Sequence, residues 1–358
     1  MIPLLKPELP PTAKQYVDEC LDTGWLSYTG PYVERFENAV KDFIGSQGTV
    51  ACSSGTAALW FALMNIGVGT GINVAVPSMT FIGTINAILY TGATPVFIGC
   101  DDNLQMSMKY LEEARRHKWI DVVLPVHMLG NTCSIDDIRN TCLLTGDSVY
   151  IIEDAAQALG SRYEDGTLVG SKDTEACMFS FSFNKLVAAG QGGMLSFANK
   201  AQRDHVKYMS LQAKDNPEMY IHNSSGFNVG MSNINAALAL AQMEQLDNIL
   251  EKKKRVQKKY IELLGEENMY YQEGGNGWLN AYRSKEPYTR VSRRCKLAGI
   301  QVRPLYYPNH LQSCFIEYEY FGDNKPEDKY DYTVCLPSST DLTDEEIEHV
   351  VKLVRGDI

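Results

Sequence analysis

The sequence lacks the features that mark several large classes of protein. Its nine cysteines are scattered, odd in number and never spaced as CxxC, so neither a disulfide framework nor a zinc site is expected. No apolar run approaches the length of a membrane span. The opening residues, MIPLLKPELPP, do not form the apolar core of a signal peptide. We therefore expect a cytoplasmic protein that holds no metal.

An excess of positive charge is also missing. The formal net charge of -11 disfavours nonspecific attraction to nucleic acid or to an anionic membrane surface. No strand pattern is followed by GxGxxG, which disfavours a dinucleotide-binding oxidoreductase. A ligand that carries phosphate must then be bound by a local site and not by the field of the whole protein.

The chain does contain a regular alternation of short β-branched runs with helical patterns between residues 49 and 200. The runs are TVAC, INVAV, TPVFI, WIDVVLPV, VYIIE and CMFSF. This alternation predicts βαβ units around a mostly parallel sheet that is covered on both faces. Ligands bind at the carboxyl ends of the strands in such sheets, so we expect the functional residues to follow these runs.

Helical patterns lie on both sides of the alternating region. Residues 11–44 contain two of them around the loop DTGWLSYTG, and residues 232–264 form one long helical region. Its buried stripe is predicted to consist of Leu246, Ile249, Leu250 and Val256. The basic run EKKKRVQKK falls between these positions and is predicted to be solvated.

The alternation ends at Gly192-Gly193, and a small α/β domain is predicted for the C-terminal part. Its last helix is preceded by a capping box from Thr343 to Glu346, with Gly356 as the stop signal. We assign residues 1–245 to a large domain and residues 246–358 to the small one. The acidic segment at 312–330 gives no clear pattern.

The segment SSGTAAL, which follows the first predicted strand, has the pattern of a phosphate-binding turn. Gly55 allows a ligand to approach the backbone, and the amides of Thr56 and Ala57 lie at a helix N-terminus, where phosphate binds. On its own, the same turn is also ordinary helix capping.

The segment IIEDAAQALG places Asp154 at the end of an apolar strand and Gln157 three residues later. A carboxylate at this point can pair with a protonated pyridine nitrogen, and Gln157 can bond to a phenolic oxygen. Read in isolation, Asp154 is equally well explained as a helix cap.

The segment MFSFSFNKLVAAGQGG presents Lys185 from an apolar, non-helical stretch. Burial lowers the pKa of a lysine and frees its amine to form a Schiff base. Ser180 can add a phosphate contact, and Phe81, after another strand, can stack on a flat ring or pack in the core. Together these segments supply the phosphate, ring and amine contacts that one pyridoxal phosphate needs.

In this combination the sequence resembles the DegT family of nucleotide-sugar aminotransferases, which are fold-type I pyridoxal-phosphate enzymes. The resemblance runs from about Leu5 to Leu336 and is carried by TGWLSYTGPYVERFE, SSGTAAL, VPSMTF, TGATPVF, LPVHMLG, IEDAAQALGSRY, FSFSFNK, GQGG, GFNVGMSNINAAL, YYPNHLQ and LPSS. It implies an aspartate-aminotransferase-like α/β fold, and within the family the segments TGW, SNINAALALAQMEQL and WLNAY are most similar to enzymes that aminate 4-keto-6-deoxy sugars.

The resemblance also implies roles for individual residues. Lys185 would form the Schiff base, Asp154 would pair with the pyridine nitrogen, Gln157 would reach the phenolic oxygen and Phe81 would stack on the ring. The phosphate would be bound by Gly55, Thr56, Ala57 and Ser180, and by Asn228 from the neighbouring subunit of a homodimer. Trp25, Tyr28 and His310 would approach the sugar nucleotide.

One departure concerns the family's GxNxR motif, where Gly230 replaces the arginine. The contact that this arginine would make to donor or acceptor is therefore missing. A milder departure is the turn after the lysine, which reads GQGG and not GxGG or GEGG.

The implied reaction transfers an amino group from L-glutamate to the 4-keto carbon of a nucleotide-linked sugar, for amino-sugar and glycan biosynthesis. A 3-keto sugar remains an alternative because the cofactor residues would be the same. The family's sugar dehydratases have histidine where this chain has Lys185, which disfavours them. A non-catalytic regulator with this fold would have no need for Lys185, Asp154 and Gln157 together.

Overall fold

A computed structural model of the chain describes residues 1–146, 148–323 and 327–357. The α-helices of these residues are α1 (Pro11–Thr23), α2 (Pro31–Ile44), α3 (Gly55–Asn65), α4 (Ile82–Tyr90), α5 (Met108–His117), α6 (Ile135–Thr145), α7 (Lys200–Ser210), α8 (Asn233–Met243), α9 (Leu246–Leu264), α10 (Tyr288–Leu297), α11 (Glu327–Asp331) and α12 (Asp344–Arg355). The strands are β1 (Gly48–Cys52), β2 (Asn73–Pro77), β3 (Thr94–Ile98), β4 (Val122–Val123), β5 (Tyr150–Asp154), β6 (Ala176–Ser180), β7 (Gly193–Phe197), β8 (Ala281–Arg283), β9 (Tyr320–Phe321) and β10 (Thr333–Cys335). No helix in the described ranges is long and apolar enough to cross a membrane.

The large sheet has eight strands in the order β1-β7-β6-β5-β4-β2-β3-β9. All of its neighbouring pairs are parallel except the two that involve β7, which is antiparallel to both β1 and β6. The carboxyl ends of β1, β2, β5 and β6 therefore lie at one edge of the sheet. This arrangement confirms the predicted α/β fold with a mostly parallel sheet.

Helices cover both faces of this sheet because successive strand residues point to opposite sides. In β2, Ala75 belongs to one hydrophobic cluster, while Val74 and Val76 belong to another. The first cluster takes in α2, α5, α6 and α8, and the second takes in α3, α4 and α7. The polar segments that follow the strands are left at the sheet edge, where they form the site.

Two features of the region after Gly193 differ from the sequence prediction. The alternation continues for one more strand, β7, whose five residues are all buried. The predicted long helix is divided into α8 and α9, with Glu244 and Gln245 between them. The prediction was wrong at β7 because this strand has only five residues, GMLSF, and directly follows a glycine-rich turn. So short a run shows no clear strand pattern in the sequence.

The prediction that the basic run in α9 is solvated was wrong at Lys253. This side chain is only 4% exposed, and its Nζ donates hydrogen bonds to the backbone carbonyls of Trp278, at 3.1 Å, and Ser338. Burial lowers the pKa of Lys253 to about 7. The predicted stripe itself is confirmed at Leu246, Ile249 and Val256, which are buried.

The C-terminal part forms a second sheet of β8 and β10 in antiparallel pairing, with a hydrophobic cluster that includes side chains of α9, α10 and α12. The capping box of Thr343 and Glu346 is confirmed, and Gly356 ends α12 in the left-handed conformation. Part of the unassigned acidic segment, β9, pairs with β3 of the large sheet. Residues 324–326 of that segment lie outside the described residues, and the division at residue 245 stays a prediction.

Candidate active site

A cleft with a volume of about 690 Å³ opens at the carboxyl edge of the large sheet. Its walls come from the segments that follow β1, β2, β5 and β6, together with one residue of the C-terminal part, Tyr306. Ligand sites of small-molecule enzymes typically have volumes of about 300–1,000 Å³. The structure therefore brings the four predicted segments together around one space of suitable size.

Asp154 ends β5 and lies on the wall of this cleft, with only 3% of its surface exposed. Its Oδ2 accepts a hydrogen bond from Thr84 Oγ1 at 2.6 Å, and its Oδ1 accepts one from the backbone amide of Ala156 at 3.0 Å. Burial raises the pKa of Asp154, although these hydrogen bonds and the charge of Lys185 oppose the rise. Within the described part of the chain, this carboxylate forms no salt bridge.

The neighbouring carboxylate, Glu153, has a different role because it points to the other face of the strand. It is completely buried and accepts hydrogen bonds from His127 Nε2 at 2.9 Å, from Thr174 Oγ1 at 2.8 Å and from the Tyr163 hydroxyl. Its hydrogen bonds are thus satisfied inside the protein. Of the two acidic residues at the end of β5, only Asp154 faces the cleft.

Gln157 lies on the cleft wall and is oriented by the backbone of another segment. Its Oε1 accepts a hydrogen bond from the amide of Leu129 at 2.7 Å, and Leu129 itself has a positive φ of 60°. Because this bond fixes the carbonyl end of the side chain, the Nε2 end is left as a donor. No described residue accepts a hydrogen bond from it.

The first turn of α3 lines the cleft with Gly55 and Thr56, whose amides donate to no acceptor among the described residues. The amide of Ala57 differs, because it donates to Ser54 Oγ at 3.1 Å as part of the helix cap. A Cβ on Gly55 would lie 3.3 Å from Ser180 Oγ. The glycine therefore allows the helix N-terminus and Ser180 to meet at the place where a phosphate would bind.

Lys185 lies on the cleft wall, at the end of a turn in which its amide donates to the carbonyl of Ser182 at 3.0 Å. Burial lowers the pKa of its amine to about 8, while the charge of Asp154 opposes this effect. Its Nζ lies 4.5 Å from the centroid of the Trp278 ring. The indole Nε1 donates to the carbonyl of Asn184 at 2.8 Å, so the ring is fixed against the lysine's own turn.

Phe81 caps α4 and presents an exposed ring on the opposite part of the cleft wall. The ring is 57% exposed, which excludes packing in the core as its main role. Its centroid lies 5.9 Å from that of Tyr306. Burial raises the pKa of Tyr306, so its hydroxyl stays protonated and can donate a hydrogen bond.

These residues fit a pyridine ring that carries a phosphate arm and an aldehyde. The buried Asp154 carboxylate, with its raised pKa, would be stabilised by a cationic ring nitrogen. The free Nε2 of Gln157 matches a phenolic oxygen, and the free amides of α3 with Ser180 match a phosphate. The lowered pKa of Lys185 suits an amine that reacts with an aldehyde.

Asn228, Trp25 and His310 are predicted site residues that do not line the cleft of a single chain. Asn228 is exposed, in the segment that pairs with Leu211, and Trp25 is 52% exposed in the loop between α1 and α2. His310 lies against Tyr320, with the two rings stacked at 3.6 Å, and its Nδ1 is hydrogen-bonded to Ser78 Oγ at 2.5 Å. Their roles stay predictions.

Tyr28 also lies outside the cleft, and it fills the space next to Gly230. A Cβ at position 230 would lie 2.6 Å from Leu211 Cδ2 and 2.9 Å from Tyr28 Cβ. The Tyr28 hydroxyl receives a hydrogen bond from Lys214 Nζ at 2.8 Å and donates to Gln212 Oε1 at 3.2 Å. An arginine at position 230 would therefore require Leu211 and Tyr28 to move, and the cation of Lys214 contacts the same Tyr28 side chain.

Sequence reasoning did not identify three residues of the site, although each lies in or close to a segment that carries the family resemblance. Thr84 lies three residues after VPSMTF, Tyr306 opens YYPNHLQ and Trp278 opens WLNAY. Thr84 could have been predicted from its spacing, since a residue one helical turn after Phe81 lies on the same face of the helix as Phe81. The contact between Trp278 and Lys185 joins residues far apart in the sequence and left no local signal.

The chain is similar to known proteins over nearly its whole length. The model of the DegT/DnrJ/EryC1/StrS aminotransferase family matches residues 7–355. The GDP-perosamine synthase of Escherichia coli O157:H7 is 32% identical over 360 residues, which cover 99% of this chain and 97% of that protein.

Solved structures share the fold across the whole chain. A chain from Streptococcus pneumoniae in its PLP form has a TM-score of 0.91 at 24% identity, covering 99% of this chain and 98% of that one. The sugar aminotransferase CalS13 from Micromonospora echinospora has a TM-score of 0.89 at 23% identity, covering 100% of both. At these identities the structures establish the fold alone.

Proposed function

The chain belongs to the DegT/DnrJ/EryC1/StrS aminotransferase family, and we propose that it is a pyridoxal-phosphate-dependent aminotransferase of nucleotide sugars. The amino group would pass from L-glutamate to the 4-keto carbon of a nucleotide-linked 4-keto-6-deoxy sugar. The products would be 2-oxoglutarate and a 4-amino-4,6-dideoxy sugar nucleotide. The main support for this proposal is that Lys185, Asp154 and Gln157 all line the same cleft.

The position of amination is supported by the relative from Escherichia coli. Its name, GDP-perosamine synthase, denotes an enzyme that makes a 4-amino sugar bound to GDP. Identity of 32% over nearly the full length of both chains favours the same reaction type. Amination at carbon 3 uses the same cofactor residues, so the sugar panel described below includes 3-keto sugars.

The residues around the ring hold and polarise the cofactor. Bound pyridoxal phosphate supplies an electron sink for the negative charge that develops on the substrate carbon. Asp154 provides the counter-charge for a protonated ring nitrogen, and Thr84 holds that carboxylate in place. Gln157 donates its Nε2 hydrogen to the phenolic oxygen, while Gly55, Thr56 and Ser180 bind the phosphate.

Lys185 would hold the cofactor through its Nζ and, once an incoming amino group has displaced it, would use the freed amine to move the protons of the reaction. In the donor half, its Nζ takes a proton from the α-carbon of glutamate. In the acceptor half, it delivers a proton to carbon 4 of the sugar. A pKa of about 8 suits both steps, because a general base works best when its pKa is close to the working pH. The Trp278 face stabilises the ammonium form after each proton uptake.

We also propose that the enzyme is a homodimer in which Asn228 contacts the phosphate of the neighbouring subunit. The exposure of Asn228, away from the cleft of its own chain, supports this. A cytoplasmic location is part of the proposal as well. It is supported by the cysteines, all nine of which are free and eight of which are buried.

The first experiment is the absorbance spectrum of the purified protein with added pyridoxal phosphate. We expect a yellow band that glutamate bleaches. Reduction with borohydride followed by peptide mapping should place the cofactor on Lys185. The control variant Lys254→Ala changes an exposed lysine of α9, and its cofactor should also map to Lys185. A protein that stays colourless, or a map with the cofactor on another lysine, would contradict the proposal.

The second experiment is a panel of GDP-, UDP- and dTDP-linked 4-keto-6-deoxy and 3-keto sugars with nitrogen-15-labelled glutamate. We expect label in the product at carbon 4, located by nuclear magnetic resonance. Label at carbon 3 would assign the enzyme to the alternative reaction. Bleaching by glutamate without amination of any sugar in the panel would overturn the substrate class and leave the cofactor chemistry in place.

A further inference from the structure

A second cavity, which we call the side chamber, adjoins the cofactor cleft and has a volume of about 240 Å³. The two cavities share the wall residues Phe183, Asn184 and Tyr306. Asn184 directly precedes Lys185, so the side chamber begins next to the turn that presents the reactive amine. The two cavities therefore adjoin at the turn that presents this amine.

The walls of the side chamber are mostly apolar, and they come from distant parts of the chain. Leu4 and Leu5 of the N-terminal segment and Leu279 of the C-terminal part are among them. Arg303 is the one charged side chain in the lining formed by the described residues. In a protein with a net charge of -11, a chamber with a single cation and no carboxylate is suited to an anion.

The side chain of Arg303 is exposed and so is open to a ligand, while its backbone is fixed. The amide of Arg303 donates to the carbonyl of Cys335 at 3.2 Å, and the amide of Cys335 donates back at 2.8 Å. The guanidinium forms no ion pair or hydrogen bond with any residue in the described ranges. By contrast, Arg294 on α10 is held by Glu286, with Nη1 and Oε2 2.9 Å apart.

We propose that Arg303 binds an oxyanion of a substrate at the side chamber while the reacting end of that substrate lies in the cofactor cleft. The planar guanidinium group matches carboxylate and phosphate in a bidentate manner. The inference rests on the proposed function, whose two substrates both carry such groups: the carboxylates of glutamate and the diphosphate of the nucleotide sugar.

The size of the chamber limits what it holds. Its volume of about 240 Å³ is below the range of about 300–1,000 Å³ that whole drug-sized ligands occupy. It is therefore suited to one end of a substrate and not to a complete nucleotide sugar. The anion source, donor carboxylate or acceptor diphosphate, is distinguished by experiment.

The test compares Arg303→Gln with the wild-type holoenzyme in three measurements. The first is the glutamate concentration that gives half-maximal bleaching of the cofactor band. The second is the dissociation constant of GDP, measured by calorimetry. The third is the KM for the accepted keto sugar, with kcat determined in the same assay. Arg303→Lys, which keeps the charge without the planar fork, is measured in parallel.

A matched control is available on α10. Arg293→Gln removes an exposed arginine that lines neither cavity and has no recorded partner among the described residues. We expect this variant to behave like the wild type in all three measurements. It controls for the loss of one positive charge from an acidic protein.

Loss of a charge-assisted hydrogen bond should weaken binding by about tenfold to a hundredfold. If the effect appears in the glutamate titration, the oxyanion is the donor carboxylate. If it appears in GDP affinity and in the KM for the sugar, with kcat unchanged, the oxyanion is the diphosphate. Arg303→Lys should recover part of the loss in either case. Both results support the proposal.

The inference and the proposed function fail in different ways. If glutamate bleaches the wild type and a sugar is aminated, but Arg303→Gln stays within about twofold in every measurement, this inference alone is overturned. If the wild type neither responds to glutamate nor binds GDP, the proposed function fails and the inference fails with it.

Discussion

Lys185 carries the proposed chemistry, and its surroundings destabilise the folded protein whenever its amine is charged and no cofactor is bound. Burial lowers its pKa to about 8 from the ordinary value of 10.5. Below about pH 8 the amine is protonated in both the folded and the unfolded chain, and the folded chain bears the desolvation cost in full. Above the ordinary value both states are neutral and the cost disappears.

We therefore expect Lys185→Met to stabilise the cofactor-free protein at neutral pH, by about 1–3 kcal/mol. The gain should shrink as the pH rises from about 8 towards about 10.5. Urea unfolding of both proteins at several pH values measures this difference. Lys254→Met, at an exposed lysine of α9, should show no such dependence. A gain that is absent at neutral pH, or that grows with pH, would contradict the burial of this amine.

Local motifs were sufficient to predict the residues of the site that lie at strand ends. Asp154 and Lys185 were recognised because a parallel sheet delivers the residues after its strands to one edge. The burial of Lys253 and the contact between Trp278 and Lys185 could not be predicted in this way. The first depends on the packing of α9 against the backbone of Trp278 and Ser338, and the second on the packing of Trp278 against the turn that follows β6. No local pattern encodes either contact.

At the scale of elements, residues 226–231 run beside β1 and restrict position 230. The amide of Ser53 donates to the carbonyl of Val229 at 2.7 Å, and Gly230 forms a β-bridge with Cys52. This pairing holds Gly230 against Leu211 and Tyr28, where a Cβ would be too close to both. The glycine that replaces the arginine of the GxNxR motif thus fits the close packing of Leu211 and Tyr28 at this position.

We expect Gly230→Ala to lower the free energy of unfolding by about 1–3 kcal/mol, as overpacking of a filled space usually does. Chemical denaturation measures the change. Gly69→Ala is the matched control, because a Cβ there meets only Thr91 O at an ordinary 3.7 Å, so its effect should stay below about 1 kcal/mol. Equal stability of Gly230→Ala and the wild type would show that Leu211 and Tyr28 move aside easily.

Helices and strands that are long enough to show a hydrophobic periodicity were predicted well, and short elements were not. The apolar run of β2 and the 3.6-residue stripe of α9 both extend over enough residues to be recognised in the sequence. In β7 the sequence GMLSF directly follows a glycine-rich turn and contains a glycine and a serine, so its apolar run is too short to be recognised as a strand. The division between α8 and α9 was missed because both helices keep an apolar stripe up to their ends.

At the scale of the whole molecule, the proposed dimer makes each site depend on two chains. We expect Lys185→Ala and Asn228→Asp each to be strongly impaired, the second because its carboxylate repels the phosphate. Mixed dimers would contain one site with both native residues. Random mixing should therefore restore about a quarter of the wild-type activity. The measurement is the amination rate after the two variants are unfolded and refolded together.

The control for this experiment mixes Lys185→Ala with Asp154→Asn. Both residues line the cleft of the same chain, so no mixed dimer contains an intact site and no activity should return. If the Asn228→Asp mixture also stays inactive, Asn228 does not act on the neighbouring subunit and the shared-site arrangement is wrong.

The pairing of β9 with β3 has a consequence for the protein as it is synthesised. The ribosome makes residues 94–98 long before their pairing partner at residues 320–321. Until then the outer edge of β3, in a strand whose last four residues are buried in the finished fold, is an open template for pairing with other nascent chains. Strand β9 therefore covers the edge of β3 only late in synthesis. A chain that ends before residue 320 would leave this edge exposed, and it could then aggregate with other chains.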